Sequence, residues 1–307
     1  MNKRYPITMM CAACVPWTKD FKFDEAVFRK EVKHLVDHDV KSIYIFGTAG
    51  EGYAVNTQVF TQVVKAFIDE CGKKSDVMPM VGIISTSMME MIERIKIARD
   101  IGCRDFQIAL PCWGALSDDE VFGFFKSICG QFPDCRFIHY NNGSRTKKLC
   151  TIDLYVKIAE EVPNLVAAKY STSNMYEIYK IVTTDCPITF YLVNVGYIYG
   201  AMVGECGLLS SFASVDMDLA WKYFHAGQNK EHKTLVDLGS YIIELVKCFS
   251  IVDRELIDSA YDKTIERVAD PGFSNTLYPP YKGLTEDEFN IVFNKMKTVI
   301  GKYKDEY

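Results

Sequence analysis

The chain has 307 residues, 49% of them hydrophobic and 24% charged, with a formal net charge of −5. This is the composition of a folded globular protein rather than a disordered chain, and it lacks the basic surplus of a nucleic-acid binder. Its apolar runs are short and interrupted, below the roughly 20 residues of a membrane helix, so neither nucleic acid nor a membrane is an expected partner.

The N-terminus, MNKRYPITMMCAAC, has basic residues and then a short apolar stretch. Without the longer apolar region of a signal peptide, it reads as a first strand over Ile7–Cys14. Cys11 and Cys14 have CxxC spacing, but residues three apart on a strand point to opposite faces. No second CxxC or Cys/His cluster supplies further metal ligands, so the pair is expected to be two small buried residues. The 11 cysteines are odd in number and irregularly spaced, which fits reduced thiols in a cytoplasmic protein.

Asp24–Asp39 follows, with Val27, Phe28, Val32, Leu35 and Val36 forming one helical stripe. A strand is expected at Ser42–Phe46 and a helix at Thr57–Cys71, ended by Gly72 as its C′ residue. A strand at Met78–Ile84 and a helix at Ser87–Asp100 come next. Then come a strand at Phe106–Leu110 and a helix opened by the capping box Ser117…Glu120. Strands at Phe137–Tyr140, Val166–Tyr170 and Thr189–Val193 alternate with helices at Ile152–Glu161 and Met175–Val182. The connection at Tyr197–Glu205 has no clear pattern, and an eighth strand falls at Leu208–Phe212. The strands are near-continuous apolar runs, as in parallel sheets buried on both faces.

Eight such units predict an α/β protein, a (β/α)8 TIM barrel with a C-terminal helical extension. An open doubly wound sheet is the alternative on periodicity alone. The barrel is assigned to residues 1–225. The helical region, 226–307, includes helices at Lys230–Phe249 and Thr285–Ile300 and is expected to pack on the barrel or build an oligomer contact.

Active sites of such barrels lie where strands end and the following loops begin. The second strand ends in Gly47-Thr48-Ala49-Gly50-Glu51-Gly52, a turn able to gather backbone N–H groups around an anion, or else a plain βα turn. The fifth ends in His139-Tyr140-Asn141-Asn142-Gly143-Ser144-Arg145-Thr146. There Tyr140 can relay protons and Arg145 can grip a carboxylate, or they are a core tyrosine and a surface arginine. His139 should face away from Tyr140 and be structural. The sixth ends in Lys169, whose desolvation would favour the neutral, nucleophilic amine, unless it is simply the first exposed residue after the strand.

Gly47-Thr48-Ala49-Gly50-Glu51, Tyr140-Asn141-Asn142-Gly143-Ser144-Arg145-Thr146 and Lys169, in this order, resemble the dihydrodipicolinate synthase / N-acetylneuraminate lyase family. The resemblance runs from about Ile7 to at least Phe212. It implies a class I aldolase or lyase in which Lys169 forms an imine with pyruvate or another 2-oxo acid. Tyr140 would move protons, and Thr48 with the Thr48 and Ala49 N–H groups would hold the acid's carboxylate. Glu51 would brace the turn. The imine is the electron sink, so no cofactor or metal is implied. Substrate binding is assigned to Ala49, Arg145, Trp113 and Leu209, and a homotetramer or homodimer is the implied assembly.

The chain departs from the family pattern at several points. Ala49 replaces the turn's second hydroxyl residue. Pro111-Cys112-Trp113 stands where synthases carry Pro-Tyr-Tyr, Gly143 replaces a proline and Lys147 a glycine. Val193-Asn194-Val195-Gly196-Tyr197-Ile198 lacks the acids by which sialate lyases hold sugar hydroxyls, while Tyr170 is lyase-like. The expected function is therefore a Schiff-base lyase, aldolase or 2-keto-3-deoxy acid dehydratase. Trp113, Arg145 and Tyr197 would favour an acidic or partly apolar partner over a polyol. Dihydrodipicolinate synthase proper is one alternative, and a 2-oxo-acid-binding protein with little turnover is another.

Overall fold

The computed structural model describes residues 3–306. In chain order the elements are β1 (Met9–Ala12), α1 (Glu25–Asp37), β2 (Ser42–Ile45), α2 (Thr57–Cys71), β3 (Met78–Ile83), α3 (Met88–Ile101), β4 (Asp105–Ile108) and α4 (Asp118–Gln131). Then follow β5 (Arg136–Asn141), the one-turn α5 (Gly143–Thr146), α6 (Ile152–Glu161), β6 (Leu165–Tyr170), α7 (Met175–Thr183), β7 (Thr189–Val193), α8 (Asn194–Val203) and β8 (Gly207–Ser210). The chain ends with α9 (Met217–Gln228), α10 (His232–Lys247), α11 (Asp258–Ala269) and α12 (Glu286–Glu306).

The eight strands pair in sequence order, all parallel, and β8 closes on β1 through Met9 opposite Leu208. This closed barrel excludes the open sheet. Its inside is filled by Tyr5, Met10, Tyr44, Met80, Ile138, Val166, Ala167, Tyr191 and Leu209. The opposite strand faces pack on the helices in one core that also takes in Leu284, Val292 and Met296 of the C-terminal region.

Side-chain caps fix where the helices start. Asp24, Asn56, Ser87, Asn174 and Asp216 each accept a first-turn N–H, and Ser117 with Glu120 closes the expected capping box. Such caps contribute about 1 kcal/mol each. Thr285 and Glu288 make the same reciprocal bonds before α12. Two details differ from expectation. Gly72 ends α2 in the right-handed region, whereas Gly102 after α3 takes the left-handed cap at φ 119°. The patternless stretch around Tyr197 is α8, which leaves β7 without a loop.

Candidate active site

Period-two alternation along the strands aims the site residues. Ala167 fills the barrel interior while Ala168 and Tyr170 join the outer core, so Lys169 points inward from the end of β6. On β5 the same alternation sends Ile138 and Tyr140 inward and His139 outward. His139 packs on Phe125 and its Nδ1 lies 2.6 Å from the Tyr155 hydroxyl. Burial holds its pKa down at about 3. It is a neutral core residue, as expected.

Lys169 is 8% exposed. Its Nζ donates to the Tyr44 hydroxyl at 3.1 Å and lies 4.3 Å from the Tyr140 ring centre. The Tyr140 hydroxyl stands 3.2 Å from Thr48 Oγ1 and accepts from Asn142 Nδ2 at 3.2 Å. Lys169, Tyr140 and Thr48, drawn from three strand ends, thus converge. Tyr44, one turn of pleat below Thr48, escaped the sequence reading because a tyrosine inside an apolar strand looks like core.

Desolvation alone did not set the lysine's charge. Burial opposes the ammonium, but the facing Tyr140 and Tyr44 hydroxyls and the Asp262 carboxylate favour it, and the net shift is upward. The resting side chain is therefore an ammonium, contrary to the expectation of an easily lost proton. Asp262, on α11, has its own pKa pushed up by burial to about 7, with the nearby Lys169 charge acting against that rise. It is the carboxyl near the lysine that titrates near neutrality. No motif marks it, because it comes from the C-terminal helices.

The turn after β2 is tightly built. A Cβ at Gly50 would lie 2.6 Å from the Phe46 nitrogen, and one at Gly52 2.4 Å from the Phe46 oxygen. Phe46 and Glu51 both take left-handed backbone, φ 58° and 53°, a conformation that costs energy unless the surroundings hold it. Glu51 supplies that hold. Fully buried, it accepts from Trp17 Nε1 at 2.7 Å and from the Tyr278 N–H at 2.8 Å, and pairs with buried Lys263 of α11. It braces the turn and ties it to the C-terminal helices.

Several expected substrate contacts are elsewhere. Trp113 is 88% exposed and lies outside the cavity, because the Pro111-Cys112-Trp113 loop turns outward after β4. Within one chain it is not a pocket residue. Arg145 is half-exposed at the rim, paired with Asp258 at 3.2 Å. Tyr197 is buried under α9, donating to the Phe224 carbonyl at 2.7 Å, and Tyr170 donates to the Cys150 carbonyl at 3.1 Å on the outer face. Lys147, which stands for the family's glycine, keeps the left-handed backbone at φ 59° and donates to the Trp113 carbonyl at 3.0 Å.

Thr48, Ala49, Tyr140, Lys169 and Leu209 line one cavity of about 760 Å³ at the C-terminal mouth of the barrel. Its other walls are mixed, with Leu35, Val193, Phe212, Phe249 and Ile265 beside polar groups. Asn194 follows β7, serines follow β6 and β8, and α11 contributes Asp258, Asp262 and Glu266. Trp113 and Tyr197 lie outside this cavity, and Arg145 is paired with Asp258 at its edge.

A closed (β/α)8 barrel with a lysine buried at the end of β6 beside a tyrosine–threonine pair has the architecture of a class I aldolase. The model of the dihydrodipicolinate synthetase family matches residues 6–238, and the chain belongs to that family of lyases. A 4-hydroxy-tetrahydrodipicolinate synthase of Chloroherpeton thalassium is 27% identical over 178 residues, 58% of each chain. That match thus spans little more than half of the relative's length. An N-acetylneuraminate lyase of Gallus gallus is 24% identical over 237 residues, covering 70% of this chain and 76% of the relative. Among solved structures, a prophage protein of the dihydrodipicolinic acid synthase family from E. coli K12, in complex with pyruvate, superposes with TM-score 0.84 at 14% identity, covering 96% of this chain and 98% of the other. A catalytic lysine mutant of the Ruminococcus gnavus sialic acid aldolase gives 0.85 at 15% identity, with 99% of each chain covered. Among the described residues no helix is long and apolar enough to cross a membrane.

Proposed function

We propose that the protein makes or breaks a bond next to the carbonyl of pyruvate or a related 2-oxo acid through an imine on Lys169. The observation that carries this is the buried Lys169 amine facing the Tyr140–Thr48 pair inside a cavity of this size. The Thr48 hydroxyl and the turn's N–H groups receive the acid's carboxylate. The ammonium first loses a proton, to Asp262 or through Tyr140. The free amine then adds to the ketone carbon, and the carbinolamine loses water, whose oxygen is protonated by Tyr140. The resulting iminium accepts the electron pair of the neighbouring carbon when a bond there breaks, and fixed donors stabilise the developing charge. This route needs no metal or organic cofactor.

About 760 Å³ is within the range of pockets for whole small molecules and far exceeds a three-carbon acid. Its acids and serines suit a partner bearing hydroxyl groups. Synthase activity proper is less well supported, since Trp113 faces outward and Arg145 is engaged by Asp258. Borohydride reduction with pyruvate, read by intact and peptide mass spectrometry, tests the reading. One reduced pyruvate on Lys169, absent from Lys169→Ala, is expected. No adduct with pyruvate or with longer 2-oxo acids would leave a binding protein without turnover. A panel of aldehydes and 2-keto-3-deoxy acids then identifies the partner.

A further inference from the structure

Beneath the cavity lies a cluster that the imine chemistry does not use. The Cys14 thiol, just after β1, an oxygen of Glu31 on α1 and an oxygen of Glu266 on α11 all lie within 4.8 Å of one another. We propose that these three side chains form a binding site for a borderline-soft divalent cation of the zinc type.

A gathering of acidic groups is not a site by itself, but three features distinguish this one. The first is an orphaned atom. Glu31 is 8% exposed and its Oε1 accepts the Cys14 N–H at 2.6 Å, yet its buried Oε2 has no hydrogen-bond partner. Leaving a buried acceptor unmet is unfavourable, and a metal ion is one group that would meet it. The second is orientation from outside the cluster. The Cys14 N–H fixes the Glu31 carboxylate, and Ser214 Oγ donates to Glu266 Oε1 at 2.6 Å. Hydrogen-bonded carboxylates are the usual support of metal ligands. The third is access, since Cys14, Ser214 and Glu266 line the cavity.

Among the described residues, the cation whose charge acts on Cys14 and Glu31 is Lys263, but its ammonium donates to Glu51 and to the Thr276 carbonyl at 2.8 Å rather than to the cluster. The remaining charged neighbours, Asp262 and Asp270, are acids that add to the repulsion. Burial consequently favours the protonated forms of Cys14, Glu31 and Glu266, so a bound metal would displace protons. One thiolate with two carboxylates selects zinc over magnesium or calcium, which prefer all-oxygen sites. Tetrahedral zinc bonds of about 2.0–2.3 Å place ligand atoms about 3.5 Å apart, so the side chains must close by about an ångström. A cavity water or a substrate oxygen would fill the fourth position.

The test is a zinc titration of the purified protein against a chromophoric chelator, with cobalt substitution as a spectroscopic reading. Exposed Cys112, and His34 of α1 with the adjacent His38 just after it, are able to capture zinc adventitiously, so all measurements use a Cys112→Ser, His38→Ala background. One zinc per chain is expected, with a thiolate-to-cobalt charge-transfer band that Cys14→Ser abolishes and Glu31→Gln weakens. Ser214→Ala should raise the zinc Kd about 10–100-fold, a reading that remains available should Cys14→Ser fail to fold. No stoichiometric zinc in this background, or binding unchanged by Cys14→Ser and Ser214→Ala, overturns the proposal.

Discussion

Tyr140 and Lys169 are register partners on β5 and β6, and the lysine Nζ lies nearer the Tyr140 ring centre, at 4.3 Å, than the 5.0 Å that separates it from the Tyr44 ring. The face of Tyr140 steadies the ammonium while its hydroxyl is turned toward Thr48 and Asn142. Ring and hydroxyl therefore have separable jobs. Tyr140→Phe keeps the ring and removes the hydroxyl. Imine formation and turnover should fall about 10²–10⁴-fold, the usual contribution of a positioned proton donor. Stability should change by about 1–2 kcal/mol, as Thr48 and Asn142 lose a partner. Stopped-flow trapping beside urea unfolding separates the two effects. Unimpaired imine formation would remove Tyr140 from the proton path.

Lys169→Met removes a buried charge and fills the same space. Replacing a buried charged group by an apolar one of similar volume is often neutral or stabilising. The variant should form no borohydride adduct, yet melt at the wild-type temperature or above. A large fall in Tm would mean that the ammonium holds the barrel mouth together, and the loss of adduct would then say little about chemistry.

Asp262 gives a pH signature of defined sign. Its folded pKa of about 7 lies above the ordinary carboxyl value because burial penalises the charge. The native state holds this proton more tightly than the unfolded chain. Its contribution is therefore fully present at acid pH and is lost as pH rises from about 4 to about 7. Above that window the buried charge costs about 2–4 kcal/mol, and Asp262→Asn should recover much of it. Urea unfolding at pH 5 and pH 8 checks this, with a variant gain expected mainly at the higher pH. The rate should also lose one ionisation near pH 7. An unchanged pH–rate profile would exclude Asp262 as the group that receives the lysine's proton.

The parts of this architecture visible in the sequence are those governed by local periodicity. Buried parallel strands read as apolar runs, and α2 and α6 fall on the expected residues because their apolar stripes are clear, with Asn56 capping α2 as well. Lys169 was visible as a charge ending such a run, and Tyr140 as its counterpart one strand earlier. Tyr44 was not, because an aromatic residue inside a strand has the same local signature whether it meets apolar neighbours or a lysine. Asp262, Glu266 and Lys263 were invisible for another reason. They sit on α11, whose position over the barrel mouth is a long-range fact with no short motif. Trp113, at the place of a functional tyrosine, is exposed within one chain, a position that depends on the loop after β4 and has no local signature.

The pair formed by Glu51 and Lys263 joins the β2 turn to α11, with both side chains fully buried. Removing one partner strands the other charge, at a cost of about 3–5 kcal/mol. Glu51→Gln and Lys263→Met should each destabilise on that scale. The double variant should be more stable than the sum of the singles implies, by about 0.5–3 kcal/mol of coupling. Glu51 also receives Trp17 and Tyr278, so a Gln in its place leaves one of these donors facing an amide N–H. Loosening the Glu51 turn should displace Thr48 before it disturbs Lys169, which is anchored on a different strand. KM for the 2-oxo acid should accordingly rise more than kcat falls in Glu51→Gln. Additive stabilities, or a loss confined to kcat, would show that the pair stabilises the fold without setting the geometry of the turn.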